Sequence, residues 1–217
     1  MARIAVVGGT GNLGQAIARR LARAGHDVAI GSRSAEGARA AAETMGDGVR
    51  YGANAEIVEA ADFVIVTVPF AAQAATLTEI RDRLGEAIVI DATVPLVPPK
   101  VMRVQLPPEG SAALAARRLL GDGVRLVTAF HNVAAHRLAV EETVDCDVLV
   151  FGDDVEARKA AIDLIGGMGL RALAGGALAN SAAAEALTSL LIFMNKTYGA
   201  DGAGIRFTGL ATAPPIA

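Results

Sequence analysis

The sequence predicts an α/β protein built on a doubly wound parallel sheet, with a small C-terminal α/β extension. Three observations predict it. Arg3 to Val7 is a short, largely apolar run that passes at once into Gly8-Gly9-Thr10-Gly11-Asn12-Leu13-Gly14. That turn opens a helical stripe of Ile17, Ala18, Leu21 and Ala22. Short apolar runs then recur, each separated from the next by a helix-length segment, the alternation that forces strands to be parallel. Finally, 53% of the 217 residues are hydrophobic and 20% are charged, enough apolar surface to cover both faces of a sheet. Together these describe a Rossmann-type fold.

Each element has its own signal. Strand one is Arg3 to Val7 and helix one runs from Gln15 to Ala24, with Gly25-His26-Asp27 as the turn to strand two, Val28 to Ile30. A helix from Ala35 to Met45 ends at Gly46 and Gly48. Tyr51 to Ala53 is a short strand, Asn54 to Ala60 a short helix, and Phe63 to Val68 a buried strand closed by Pro69. Ala71 to Leu84 is helical and Ala87 to Asp91 is the fifth strand. The rhythm then breaks. Five of the eight prolines fall between residues 94 and 110, so no central strand runs there. Ser111 caps a helix to Leu120, Val124 to Phe130 is a strand, and Asp147 to Phe151 is another, followed by a helix from Asp154 to Met168. Ala172 to Met194 is the most apolar long stretch; Asn180 and Glu185 interrupt it, which suits a buried or interface helix and not a membrane span. The last helix starts at Asn180-Ser181 and runs to Tyr198. The division expected is a dinucleotide-binding domain over 1–130 and an extension over 131–217 that completes the substrate cleft, packed as one unit.

Gly9, Gly11 and Gly14 form a G-x-G-x-x-G motif between a strand and a helix, the context in which it has a mechanism. The first glycine permits the tight turn, the second lets a pyrophosphate approach the backbone, and the third lets helix and strand pack closely. The helix start offers N–H groups and a partial positive charge to phosphate. At the end of strand two a site for NAD carries an acid on the ribose 2′-OH. Here Gly31-Ser32-Arg33 stands instead, with Ser32 18 residues after Gly14. A hydroxyl and a guanidinium suit a 2′-phosphate, which an acid would repel, so NADP is expected; an ordinary surface arginine at a helix start is the alternative. Ligands of open parallel sheets sit beyond the carboxyl ends of the strands. Three segments should converge there: Thr67-Val68-Pro69-Phe70, Asp91 to Val94, and Phe130 to Arg137.

What is missing narrows the chemistry. Tyr51 and Tyr198 are followed four places on by Ala55 and Gly202, so the Tyr-x-x-x-Lys pair of short-chain dehydrogenases is absent. The three lysines, Lys100, Lys159 and Lys196, do not form the helix Lys with nearby Asn of the β-hydroxyacid dehydrogenases: Asn195 adjoins Lys196, but neighbours on a helix point about 100° apart. No metal-ligand spacing exists, so no metal is expected. His131 and His136 are the remaining general-acid candidates, and a strand-end histidine serves equally well as a structural residue. A net charge of −3 offers no nucleic-acid surface. One cysteine, Cys146, excludes an internal disulfide. With the first strand at residue 3, no signal peptide and no membrane segment are expected, and the protein reads as cytoplasmic. NADP binding without acid–base machinery suits hydride transfer to a second redox cofactor, where the protein mainly supplies position.

The chain resembles the NADPH-dependent coenzyme F420 reductases (F420H2:NADP+ oxidoreductases). The resemblance is carried by the Gly8–Gly14 loop, Gly31-Ser32-Arg33, Thr67-Val68-Pro69 and Ala129-Phe130-His131-Asn132-Val133. It continues through Asp145-Cys146-Asp147-Val148 with Gly152-Asp153-Asp154, Asn180-Ser181 with Glu185 to Leu191, and the terminal Gly204-Ile205-Arg206-Phe207. It implies hydride transfer between C4 of NADP and C5 of the deazaflavin, stacked directly without a protein acid or base. Thr10, Gly11, Asn12 and Leu13, with Gly9 behind them, would hold the pyrophosphate and ribose, and Ser32 and Arg33 the 2′-phosphate. Thr67, Val68 and Pro69 would line the adenosine ribose and nicotinamide. His131, Asn132, Val133, Ala134 and Ala135 would line the nicotinamide and deazaflavin cleft, closed by the tail near Gly202 to Ile205. A homodimer or higher homo-oligomer through the last helix is implied as well.

The sequence also departs from that family. A lysine that helps hold the 2′-phosphate in an archaeal member falls on Gly37; an Ile-Pro pair there reads Val133-Ala134 here, and an Ala-Ala pair reads Ala135-His136. Lys100, Arg103, Arg117, Arg118 and Arg137 are cations available either to the anionic tail of F420 or to solvent. Another flavin-, pterin- or imine-type substrate, or a non-enzymatic NADP(H) sensor, are the alternatives.

Overall fold

The computed structural model describes residues 1–46, 48–140 and 143–210. One eight-stranded sheet organises the chain, in the order β3-β2-β1-β4-β5-β6-β7-β8. The strands are β1 (Arg3–Val7), β2 (Asp27–Ser32), β3 (Arg50–Ala53), β4 (Phe63–Val66), β5 (Ile88–Asp91), β6 (Arg125–Thr128), β7 (Asp147–Gly152) and β8 (Arg171–Gly176). The helices are α1 (Asn12–Arg23), α2 (Ala35–Glu43), α3 (Asn54–Ile57), α4 (Phe70–Ile80), α5 (Ala112–Leu120), α6 (Ala135–Ala139), α7 (Val155–Gly167) and α8 (Ser181–Tyr198).

Alternation along the strands puts a core on each face. Ile4 and Val6 face one cluster with Ile17, Leu21 and Ile30. Ala5 and Val7 face the other with Val64, Val66, Leu77 and Ile80. Every side chain of β1 after Arg3 is therefore buried, which is why the strand reads as a continuous apolar run. After β3 the chain crosses back and places β4 beside β1. The strand order reverses between them, and that reversal opens a crevice at their carboxyl ends.

Six strands from β3 to β6 run parallel. β7 then pairs antiparallel with β6, with Thr128 opposite Phe151, and β8 pairs parallel with β7. The segment after residue 131 thus extends the same sheet, and the first core takes in Val148, Val150, Ala161 and Ile165 from it.

Several boundaries shift by a few residues from the sequence-based expectation, and two of the differences matter here. α1 starts at Asn12, so the last part of the Gly loop is already its first turn. The stretch from Ala172 is not helical at its start: Arg171–Gly176 is the edge strand β8, and the helix begins only at Ser181. Arg-Ala-Leu-Ala has good helix propensity, but pairing with β7 and the two glycines that end it override this. Gly175 leaves room for Phe151: a Cβ there would lie 2.2 Å from its ring. The proline-rich segment 94–110 carries no helix or strand, as expected.

Candidate functional site

The Gly loop is shaped by three different constraints. Gly9 is buried; a Cβ on it would meet Ile30 Cβ at 2.7 Å and the Val6 carbonyl at 2.8 Å, and its N–H donates to the Gly31 carbonyl at 2.9 Å. Gly14 faces back into the loop, where a Cβ would lie 2.7 Å from both Gly9 Cα and Thr67 Oγ1. Gly11 is different. It is exposed, has ordinary extended backbone (φ −76°, ψ 163°), and a Cβ there would approach nothing closer than the Gly8 carbonyl at 3.6 Å. The fold does not need glycine at 11, so the missing side chain leaves space for a ligand. Gly11 is also the N-cap of α1 and supplies no capping side chain, which leaves first-turn amides for an anion.

A cavity of about 480 Å³ lies beside this loop. It is lined by Gly8, Thr10 and Gly11, by Ser32 and Arg33 at the end of β2, and by Thr67, Val68 and Pro69 beyond β4. The Gly loop, the end of β2 and the Thr67–Pro69 turn therefore meet in one place, whereas neither Asp91 to Val94 nor Phe130 to Arg137 contributes to this lining. Asn12 is exposed at the loop tip and Leu13 packs partly onto the core, while Gly9 supports the turn from behind. Arg33 is exposed and makes no ion pair or side-chain hydrogen bond among the described residues, a guanidinium with its donors free. Ser34 caps α2 by accepting from Gly37 N–H at 3.3 Å, and a Cβ on Gly37 would sit 3.4 Å from Ser32 Oγ. Residue 37 thus borders the same corner, where glycine supplies no third contact.

Sequence reasoning missed Asn54. It is 2% exposed, lines the cavity, and its Oδ1 accepts the Gly8 N–H at 3.3 Å. It also touches Gly31, where a Cβ would lie 2.6 Å from Oδ1. Asn54 thereby ties the Gly loop to the end of β2. An asparagine after a strand, opening a short helix, was the available signal.

The run after β6 does not behave as one lining. Phe130 takes φ +69°, a left-handed conformation that costs a non-glycine residue about 1–3 kcal/mol, and the chain turns there. The His131 ring is packed inside the protein, 6.1 Å from the Phe151 ring. Neither ring nitrogen has a hydrogen-bond partner among the described residues, and burial lowers its pKa to about 4. His131 thus takes the structural alternative of the two readings its position allowed: its ring is buried on Phe151 and does not line the cavity beside the Gly loop. Asn132 is likewise buried, donating from Nδ2 to the Ala184 carbonyl at 2.9 Å, and Val133 belongs to the core. Of residues 131–135, only Ala134 and Ala135 remain partly open.

Ala134 lines a second cavity of about 300 Å³ with Arg137, Cys146, Gly202 and Gly204. The tail is strapped across it. His136 Nε2 meets Asp201 at 2.8 Å, Ala203 N–H donates to Asn195 Oδ1 at 2.7 Å, and Asp147 N–H donates to the Ile205 carbonyl at 2.7 Å. Burial pushes the Cys146 thiol up, with Asp147 and Asp145 adding to the effect, so this cysteine is no ready nucleophile. Of the other cations considered, Arg117 donates to carbonyls at the end of α5, Arg118 pairs with Glu109 at 3.6 Å, and Arg137 Nε donates to the Asp201 carbonyl at 2.8 Å.

Two buried carboxyls lie near each other in the interior. Glu185 of α8 is 1% exposed and accepts the N–H groups of Ala112 and Ala113 at 2.6 and 3.0 Å. Burial raises its pKa to about 7; the two N–H bonds pull the other way and are outweighed. Asp91, also buried, is shifted upward by the same cause. A folded-state pKa above the unfolded one means that the folded state holds the proton more tightly. The stability Glu185 contributes is complete below the ordinary carboxylate range and is lost as pH rises toward 7. Denaturant midpoints are therefore expected to fall between about pH 4.5 and 7, and Glu185→Gln is expected to flatten that slope. An equal slope in the variant would exclude Glu185 as its source.

The chain is similar to proteins of one named activity. A family model described as NADP oxidoreductase, coenzyme F420-dependent, matches residues 3–95. An F420-dependent NADP reductase of Methanothermobacter thermautotrophicus is 41% identical, over 96% of this chain and 95% of that protein. The enzyme of the same name from Methanocaldococcus jannaschii is 36% identical, over 96% of this chain and 99% of its own. A crystal structure from Arthrobacter sp. FB24, described as a candidate F420-dependent NADP-reductase, superposes with a TM-score of 0.86 at 23% identity. It covers 96% of this chain and all of that one, and shows the same fold. No metal-binding cluster of His, Cys, Asp or Glu and no helix able to cross a membrane occur among the described residues.

Proposed function

Because this chain belongs to the coenzyme F420-dependent NADP oxidoreductase family, we propose that it transfers a hydride between NADP(H) and coenzyme F420. One observation carries the reading of the site: a single cavity joins an uncapped helix start, an arginine unpaired among the described residues and an apolar turn, with no acid–base pair in its described lining. The residues fit NADP. Gly11 leaves the gap that a pyrophosphate needs, and the first-turn amides of α1 meet its charge. Ser32 and Arg33 would hold the 2′-phosphate, and Thr67, Val68 and Pro69 would form the wall for the ribose and nicotinamide. The nicotinamide supplies the hydride chemistry when bound.

The protein's share is position. Asn54 holds Gly8 and β2 together, so the two phosphate-binding corners keep a set distance. Thr67 Oγ1 donates to the Val7 carbonyl at 2.9 Å, joining the wall to the loop. No side chain at this cavity is needed to donate a proton, since a hydride passing between two cofactor rings needs no protein acid. F420 would enter beside Ala134 and Ala135, under the tail from Gly202 to Ile205. Direct ring stacking is part of this proposal, as is a cytoplasmic location.

The proposal includes a homo-oligomer through α8. Leu190, Phe193 and Met194, spaced three and four residues apart, are 49%, 46% and 37% exposed, an apolar stripe on one helix face. Mixing NADPH with oxidised F420 under anaerobic conditions and following the deazaflavin absorbance tests the activity. The absorbance should fall at a rate proportional to enzyme. No change at high enzyme would remove F420 as the substrate and leave the NADP site to be tested by binding.

A further inference from the structure

We propose that Asp91 is a positioning residue for the hydride step: its buried carboxylate braces the Thr67–Phe70 wall of the cavity from behind. The inference rests on the reading of that cavity as the NADP site. Asp91 is the last residue of β5 and is 1% exposed. Its neighbours' main chains are spent in the sheet, with Ala92 N–H donating to the Val66 carbonyl at 2.9 Å and Ala129 N–H to the Asp91 carbonyl at 3.2 Å. The carboxylate is left for another task.

Each of its oxygens supports one end of the wall. Oδ1 accepts from Thr93 N–H at 3.0 Å, and the Thr93 hydroxyl donates to the Val68 carbonyl at 3.5 Å. Oδ2 accepts from Gln73 Nε2 at 2.6 Å. Gln73 is 2% exposed and lies one turn into α4, the helix that begins at Phe70 with Pro69 as its N-cap. One arm therefore reaches the strand side of the turn and the other the helix side. Val68 Cγ1 lies 2.7 Å from the place a Cβ on Gly8 would occupy, so a shift of this wall is felt in the Gly loop.

The arrangement calls for the carboxylate and not merely for its shape. Gln73 Nε2 also donates to the Ala112 carbonyl at 3.2 Å. That second contact sets the orientation of the amide, because turned over, its oxygen would face a carbonyl. Asp91 thus meets a donor at each oxygen. No cation pairs with it among the described residues, which makes it an expensive group to bury. An asparagine of the same outline must turn its NH2 toward either Thr93 N–H or Gln73 Nε2, donor against donor.

Asp91→Asn tests this in the full-length protein. The affinity for 2′-phospho-ADP-ribose, which lacks the nicotinamide, should stay within about twofold of the wild type. The fluorescence of bound NADPH should change, and single-turnover hydride transfer to F420 should slow by about tenfold or more, the scale on which small misplacements act. KM for NADPH should move less than kcat, and the isotope effect with 4-deuterated NADPH should be fully expressed. A hydride rate within twofold of the wild type, or parallel losses in both ligand affinities, would overturn the proposal. Should Asp91→Asn not fold, Thr93→Val removes only the hydroxyl arm; unchanged NADPH fluorescence and hydride rate in that variant would also overturn it. If the wild type transfers no hydride to F420, the substrate reading fails, while the two binding measurements still decide the role of Asp91.

Discussion

Arg33→Ala is expected to raise the KM for NADPH by about 10- to 100-fold, the scale of a lost charge-assisted contact to phosphate. The KM for NADH should hardly move. Arg33 lines the cavity beside Ser32 and has no competing partner among the described residues, so nothing else engages its donors. Gly37 gives the corner no third contact, which concentrates the burden on Arg33. Because the side chain is exposed, the discrimination between the two cofactors should weaken as salt is added. Steady-state kinetics with both cofactors at two ionic strengths check this. Equal effects on NADPH and NADH would mean that Arg33 does not touch the 2′-phosphate.

The glycines of the loop should separate binding from folding. Gly11→Ala should leave the thermal midpoint of the free protein within about 1 °C, since its backbone is ordinary and its Cβ would make only an ordinary 3.6 Å contact with the Gly8 carbonyl. NADPH affinity should nevertheless fall by about tenfold or more, because the methyl group takes the place intended for the pyrophosphate. Gly14→Ala should do the opposite first. Its Cβ would press on Gly9 Cα, Thr67 Oγ1 and the Gly8 carbonyl, all within 2.9 Å. Overpacking of that kind costs about 1–3 kcal/mol, or roughly 2–12 °C for a chain of this size. Thermal unfolding without ligand, beside a titration of bound-nicotinamide fluorescence, reads both effects. A Gly11→Ala variant that binds NADPH normally would place the pyrophosphate elsewhere.

The parallel sheet and its crossover helices were legible because their signals are local. A strand buried on both faces must be apolar along its length, a crossover needs a helix, and a strand–glycine–helix junction needs Gly9 and Gly14 where they stand. The position of Ser32 and Arg33 beside the Gly loop was legible for the same reason: the end of β2 borders the cavity by topology alone. The apolar length of Ala172 to Met194, by contrast, hid the strand β8 at its start. An edge strand earns its pairing from β7, about twenty residues away, and no local pattern records that.

What lies around the second half of the cleft was decided by packing. His131 is polar and ends a strand, so in sequence it resembles a cleft residue. Phe130 turns the chain, and the ring goes against Phe151 with its charge suppressed. Asn54 and Asp91 carried no motif, and they act through partners 46, 18 and two residues away, at Gly8, Gln73 and Thr93. The sequence by itself determined the sheet, the glycine turn and the placing of Ser32 and Arg33 at the end of β2, because each depends on neighbours in the chain. Only the tertiary structure decided which polar groups face the cavity and which support it from inside, because burial and hydrogen-bond partnership are set by residues that meet only when the chain has folded.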